Sequence, residues 1–270
     1  EQTAVWLIGG ESGVGKSRLI EELRTYALIN GWQVLRGQAI AEGGAYFQLW
    51  RDIVPRLILS TPITAFEAGI LRQITPQIPQ LLGRDVPALP EYAGADGQHK
   101  LISTLLALLQ KQTQPTLLLL EDLHWSIESL LPLQEILSDL SATQRLMIVA
   151  TYRDDEKPTL PQALDGAKTL KLERFDQEKV AELCQAMLGT QANTDKLISR
   201  LIQETEGNTY FLVEVMRALA EEAGQLADIN QETLPTSILT QGMAQILQRR
   251  IHKMLDSDQE MLKLAAVAGR

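Results

Sequence analysis

The sequence of 270 residues has little cysteine, few aromatic residues and a shortage of positive charge. Its single cysteine, Cys184, excludes an internal disulfide, and its place in an apolar helical pattern predicts a buried thiol. No apolar run has the length of a membrane span, and the N-terminus shows no secretory signal pattern. The 34 acidic and 25 basic residues give a net charge of -9, which disfavours contact with a nucleic-acid backbone. We therefore expect a cytoplasmic protein without direct nucleic-acid or membrane contact.

The first 175 residues alternate between strand and helix patterns, which is typical of a parallel α/β sheet. Leu19, Leu23, Tyr26 and Ala27 fall on one helical face. Short apolar runs predict five strands, at 4–8, 32–37, 116–121, 146–152 and 169–175. Both ends lie close to predicted elements, so we expect this chain to be a piece of a longer protein.

The segment at 38–95 shows a less regular pattern of apolar residues than the rest of the first 175 residues. It predicts one helix over 47–57, followed by a proline-rich surface excursion that packs on the sheet. A leucine-rich helix is predicted at about 97–111. From Asp176, a good helix N-cap, only helical patterns remain, at about 176–189, 194–204, 208–222, 240–255 and 257–267. We expect domains at 1–175, 176–234 and 235–270.

A glycine-rich loop, GGESGVGKS at 9–17, joins the first predicted strand to the first predicted helix. Gly10, four residues, then Gly15-Lys16-Ser17 satisfies the P-loop pattern in the strand–loop–helix context that it requires. Glycines allow successive N–H groups to face an anion, and the helix dipole adds positive potential. Lys16 would reach the β- and γ-phosphates, and Ser17 would offer a hydroxyl to Mg²⁺. The candidate nucleotide-binding residues are Gly10, Glu11, Ser12, Gly13, Val14, Gly15, Lys16, Ser17 and Arg18.

Two carboxylates, Glu121 and Asp122, end the third predicted strand. Parallel α/β sheets bind ligands at this carboxyl edge. One carboxylate would serve Mg²⁺, usually through water, and the other would orient and deprotonate the attacking water. By position, Glu121 serves the metal and Asp122 the water, and the reverse remains open.

Thr151-Tyr152-Arg153-Asp154 closes the fourth predicted strand. If this strand lies between the first and the third, Arg153 emerges beside the γ-phosphate and reports its presence. The alternative is a surface arginine paired with Asp154 or Asp155. His124, which follows the two acids, has two open roles: contact with a carboxylate or the phosphate, and support of its loop.

Four segments together resemble the AAA-type ATPase domain of STAND signal-transduction NTPases: GGESGVGKSRL, LLLLEDLHW, ATYRDDE and ETEGNTYFLVEVMRAL. The resemblance implies a five-stranded parallel sheet in the order 5-1-4-3-2, a helical lid at 176–234 and the start of a winged-helix domain at 235–270. It also implies that Glu121 and Asp122 are the Walker B pair and that Arg153 is a nucleotide sensor.

The same resemblance implies how such a protein works. ADP holds a closed monomer, ATP drives opening and homo-oligomerisation, and slow hydrolysis resets the protein. The output comes from effector or sensor domains elsewhere in a longer chain. One departure is Thr209, which follows Gly207-Asn208 where the family often has a proline against the base. Two alternative hypotheses for the function are a motor or loader ATPase and a nucleotide-binding scaffold that does not hydrolyse ATP.

Overall fold

The computed structural model describes residues 3–40, 47–87, 95–125, 130–138, 145–188, 195–223, 248, 251–252 and 254–267. The chain divides into two compact units, Glu1–Leu172 and Glu173–Arg270. Within the described residues, no helix has both the length and the apolar character needed to cross a membrane.

The first unit contains a five-stranded sheet whose paired strands are all parallel. Its strands are β1 (Ala4–Gly9), β2 (Gln33–Gln38), β3 (Thr116–Glu121), β4 (Leu146–Tyr152) and β5 (Lys168–Lys171). They lie in the order β2-β3-β4-β1-β5, which confirms the predicted order read from the opposite edge. The strand predictions are confirmed to within a residue or two, except that β5 ends four residues earlier than predicted.

Seven helices of the first unit fall within the described residues. They are α1 (Lys16–Ile29), α2 (Ile53–Ser60), α3 (Ala65–Leu71), α4 (Ile78–Leu82), α5 (Ala95–Gln110), α6 (Leu131–Ser138) and α7 (Leu160–Ala163). Two short 3₁₀ turns, Gln48–Trp50 and Leu123–Trp125, follow β2 and β3 along the chain.

Strand β3 shows why the sheet is buried on both faces. All six of its residues are buried. Leu117 and Leu119 pack in the cluster that contains Ile20 of α1, whereas Leu118 and Leu120 pack in the larger cluster on the opposite face. Successive side chains of a strand point to opposite faces, so an unbroken apolar run suits a sheet covered on both sides. Strand β3 lies between β2 and β4, so its carboxyl end is in the interior of the sheet.

The segment after β2 differs from its prediction. The single helix predicted over 47–57 is instead a 3₁₀ turn followed by α2, and two further helices, α3 and α4, follow. Trp50, Ile53 and Leu57 are fully buried in the larger cluster. Ile78, in the proline-rich part, is fully buried in the same cluster, so this part packs on the core as predicted but is not confined to the surface.

The described part of the second unit is helical: α8 (Gln177–Leu188), α9 (Asp195–Thr205), α10 (Thr209–Ala223) and α11 (Asp256–Val267). Asp176 accepts a hydrogen bond from the N–H of Lys179 (2.9 Å), as expected of an N-cap. Cys184 is 1% exposed among apolar side chains of α8 to α10, which confirms the predicted buried thiol. Most of the helix predicted at 240–255 lies outside the described residues. The lid and winged-helix assignments stay predictions.

Candidate functional site

The loop between β1 and α1 has a backbone that needs glycine. Gly10, Gly13 and Gly15 have φ values of 154°, 83° and 108°. A Cβ on Gly10 would also lie 2.5 Å from the carbonyl oxygen of Leu172. Side chains rarely tolerate such positive φ values, so the glycine spacing in the sequence has a direct structural cause. The loop curls at the carboxyl end of β1.

Helix α1 begins at this loop with free backbone donors. Gly15 is its N-cap and supplies no side-chain cap. The first helical hydrogen bond of this end runs from Leu19 N–H to Gly15 O (3.0 Å), so the N–H groups of Lys16, Ser17 and Arg18 lack intrahelical partners. Ser17 and Arg18 are exposed. The arrangement is suited to an anion at the positive end of the helix dipole.

Lys16 turns its ammonium group back onto the loop. The residue is only 9% exposed, and Nζ donates hydrogen bonds to Gly10 O (2.6 Å) and Glu11 O (2.7 Å). Burial lowers the pKa of Lys16, and the positive charge of Arg153 lowers it further. A buried cation held by carbonyl oxygens, with a second cation near enough to act on its pKa, is suited to receive a polyanion. The loop therefore fits the phosphates of a nucleotide.

Glu121 ends β3 in a network that the sequence analysis missed. It is 4% exposed, and its Oε1 accepts a hydrogen bond from Arg36 Nε at 2.5 Å. Arg36, on β2, also donates from Nη1 to Glu21 Oε1 of α1 at 2.8 Å. One guanidinium thus joins three elements and neutralises the buried carboxylate. A charged residue inside an apolar strand pattern was the available signal for Arg36.

Asp122 occupies a different position from Glu121. Its backbone is left-handed (φ 59°), and its N–H donates to Thr151 Oγ1 at 3.2 Å. Its carboxylate accepts a hydrogen bond from Gln38 Nε2 at 3.1 Å. Its negative charge also acts on Lys16, where it favours the protonated form. Of the two acids, the structure thus links Asp122 electrostatically to the loop lysine.

Arg153 follows β4 beside the loop. The register pairs Gly9 with Tyr152, so the next residues, Gly10 and Arg153, are neighbours at the edge of the sheet. Arg153 Nη1 is hydrogen-bonded to Glu156, while Asp154 pairs with Lys171 (3.3 Å). The alternative pairing of Arg153 with Asp154 or Asp155 was therefore wrong in its partner, and the sequence analysis missed Glu156.

His124 and Trp125 connect the β3 edge to Arg153. The backbone N–H of Arg153 donates to His124 Nδ1 at 3.4 Å, and its guanidinium carbon lies 5.6 Å from the Trp125 ring centroid. Burial lowers the pKa of His124, and the charges of Asp122 and Glu156 oppose that effect. The neutral imidazole supports the backbone at the start of the Arg153 loop.

The protein supplies few ligands for a cation at this site. Across the described ranges, no three His, Cys, Asp or Glu side chains converge as a metal cluster. Mg²⁺ usually keeps several waters and takes only one or two carboxylates besides phosphate oxygens. The hydroxyl of Ser17 and the carboxylate oxygens of Asp122 and Glu121 are donors of the type that Mg²⁺ prefers, so the residue types fit a shared Mg²⁺–nucleotide complex.

Comparison with known proteins gives one family match. A family model described as an AAA ATPase domain matches residues 1–149. No curated protein sequence matches the chain. A solved structure, described as the crystal structure of FIGL-1 AAA domain, is 13% identical and has a TM-score of 0.38. That similarity covers 98% of this chain and 76% of the other. The family match contains the glycine loop and both acids, and Arg153 lies beyond it.

Proposed function

The chain belongs to the AAA ATPase domain family, and from that premise we propose that it is an ATP-binding, slowly hydrolysing switch of the STAND type. ADP would hold its inactive state. Exchange for ATP would open the protein and drive homo-oligomerisation, and effector or sensor domains outside residues 1–270 would give the output. The observation that carries the nucleotide assignment is the buried Lys16 ammonium, folded onto the carbonyls of a glycine loop at the start of α1.

The proposed binding step exchanges one set of Lys16 partners for another. Its present acceptors, the carbonyl oxygens of Gly10 and Glu11, are uncharged, whereas phosphate oxygens carry negative charge. An ammonium–phosphate contact adds the attraction between two full charges to the hydrogen bond. The lysine would therefore turn from the loop to the β- and γ-phosphates, while the first N–H groups of α1 hold the same anion.

Hydrolysis would use the acids that end β3. When bound, Mg²⁺–ATP would supply the phosphoanhydride to be cleaved and a cation that offsets the negative charge of the phosphates. We assign Asp122 to the attacking water because its charge reaches the Lys16 site, and Glu121 to the metal through water. The hydrogen bond from Arg36 would hold the Glu121 carboxylate in a fixed orientation. Arg153 would contact the γ-phosphate as the sensor.

Nucleotide binding is tested by titrating ADP and a non-hydrolysable ATP analogue, each with Mg²⁺, in a calorimeter. We expect Lys16→Ala to abolish binding, because it removes the buried cation of the loop. Lys111→Ala is the matched control, since it removes an exposed lysine that pairs with Glu67 in the same unit. Wild-type affinity in K16A would overturn the phosphate assignment.

Phosphate release separates the roles of the two acids. We expect Asp122→Asn to bind both nucleotides and to hydrolyse ATP more slowly than the wild type. Unchanged turnover in D122N would move the water-orienting role to Glu121. The switch itself is tested by size-exclusion chromatography in ADP and in the ATP analogue: oligomers only with the analogue support it. Fast turnover with no change of oligomeric state would favour a motor or loader ATPase.

A further inference from the structure

Arg153 is close enough to the phosphate loop for its charge to matter there. The pairing of Gly9 with Tyr152 makes Arg153 the neighbour of Gly10, whose carbonyl oxygen holds the Lys16 ammonium. Burial is the largest cause of the lowered pKa of Lys16, and the positive charge of Arg153 is the second. Two cations thus share one edge of the sheet, and each needs a counter-anion while no phosphate is present.

Glu156 is the counter-anion of Arg153. Its Oε1 accepts a hydrogen bond from Arg153 Nη1. The Arg153 guanidinium carbon also lies 5.6 Å from the centroid of the Trp125 ring. The hydrogen bond from Arg153 lowers the pKa of Glu156, and the positive charge of Arg153 acts in the same direction. An isolated surface ion pair contributes little, but this carboxylate also lies 3.6 Å from His124 Nε2, which belongs to another element.

His124 fixes the geometry behind this pair. Its side chain is buried, and its Nδ1 accepts the backbone N–H of Arg153, so a neutral ring carries its proton on Nε2. Within the described residues Nε2 has no hydrogen-bond partner, and it lies 3.6 Å from Glu156 Oε2. The imidazole N–H therefore faces the second oxygen of the same carboxylate. The EDLHW and TYRDDE segments meet through these side chains.

The γ-phosphate that distinguishes ATP from ADP adds negative charge next to this carboxylate. Arg153 contacts Glu156 before nucleotide arrives, so a contact with the γ-phosphate must weaken that pair or bring the two anions together. Both costs fall on ATP and spare ADP, whose phosphates end one position earlier. We propose that Glu156 is a specificity-determining residue, which holds Arg153 in competition with the γ-phosphate and lowers the affinity for ATP relative to ADP. The proposal rests on the proposed nucleotide-binding function.

The test compares Glu156→Gln with the wild type by calorimetric titration of Mg²⁺–ADP and of a non-hydrolysable Mg²⁺–ATP analogue. We expect E156Q to raise the ratio of ATP-analogue to ADP affinity by about fivefold or more, the usual lower range for coupling between sites. ADP affinity should change less than the analogue affinity, which also reports that the variant is folded. Glu156→Ala should shift the ratio in the same direction.

Two controls separate the contact from a general charge effect. Asp155→Asn removes the same charge one residue away, and the charge of Asp155 also reaches Lys16. Among the described residues Asp155 makes no ion pair with Arg153, so D155N should leave the ratio nearly unchanged. In Arg153→Met the E156Q effect should disappear, because Glu156 acts through the guanidinium.

Three results would overturn the inference: a ratio that E156Q leaves unchanged or lowers, an equal rise in D155N, or a rise that persists without Arg153. A lowered ratio would mean that Glu156 orients Arg153 toward the phosphate. These failures differ from failure of the proposed function, in which the wild-type protein would bind neither nucleotide.

Discussion

Arg36→Met would remove the cation that holds Glu121, with a stability cost that the structure allows us to estimate. Arg36 Nε lies 2.5 Å from Glu121 Oε1, and Arg36 Nη1 lies 2.8 Å from Glu21 Oε1. Methionine keeps part of the apolar stem that an arginine packs against its neighbours. The variant therefore removes chiefly the charge and the two hydrogen bonds, and it leaves a carboxylate at a residue only 4% exposed.

The loss of stability in R36M should be smaller than the cost of breaking a fully buried ion pair and larger than that of breaking an exposed one. Breaking a fully buried ion pair by removing one partner costs about 3–5 kcal/mol. The Arg36 side chain is 40% exposed, so water screens the pair and can enter the gap. A hydrogen bond to a charged group contributes about 1.5–3 kcal/mol. We expect R36M to lower the free energy of unfolding by about 2 kcal/mol, which corresponds to about 4–8 °C in Tm for a unit of this size.

Thermal unfolding followed by circular dichroism measures this loss. Arg24→Met is the matched control, because Arg24 pairs with the same Glu21 at 3.4 Å between two half-exposed side chains of α1. Such a pair contributes about 0.3–0.5 kcal/mol. Adding Glu121→Gln to R36M should recover part of the loss, because it removes the unpaired charge. The reasoning fails if R36M is as stable as R24M, or if E121Q adds a further full penalty to R36M.

Two other predictions concern backbone packing and pH. Gly37→Ala should lower the free energy of unfolding by about 3 kcal/mol or more, because its Cβ would lie 2.1 Å from the carbonyl oxygen of Leu49. Gly31→Ala has open space around its Cβ but a φ of +74°, so it should lower the free energy of unfolding by about 1–2 kcal/mol. Equal denaturant midpoints for the two variants would contradict this reasoning. Burial raises the pKa of Glu67, but hydrogen bonds from Lys111 and a backbone N–H lower it by a larger amount, so the net shift is a decrease. Glu67→Gln should therefore lower the free energy of unfolding by about 1 kcal/mol above pH 4.5, and the difference from the wild type should disappear as the pH falls through the lowered pKa. A difference in denaturation midpoint that persists in acid would refute this prediction.

The loop and the strands could be predicted because their causes are local. GGESGVGKS needs left-handed backbone at Gly10, Gly13 and Gly15, which spacing alone reveals. The apolar run that forms β3 requires burial on both faces. The same logic placed Glu121 and Asp122 together at a sheet edge, because consecutive residues after a strand stay together.

The different surroundings of Glu121 and Asp122 could not be predicted from the residues next to them in the sequence. Arg36 and Glu121 are 85 residues apart and meet because β2 and β3 are adjacent and their side chains share a face. The helices after β2 were underestimated because their apolar residues are mixed with prolines, and only packing shows which of them are buried. No local pattern distinguishes such a core segment from a surface excursion.

The sequence by itself determined the parallel α/β core, the phosphate loop and the pair of acids, because backbone conformation and burial of a short run depend on residues close in the chain. Only the tertiary structure decided which charges pair. It assigned Arg36 to Glu121, and it joined Arg153 to Glu156 in place of the neighbouring aspartates. Side-chain pairing depends on strand order, register and direction, and these follow from the simultaneous packing of the whole unit.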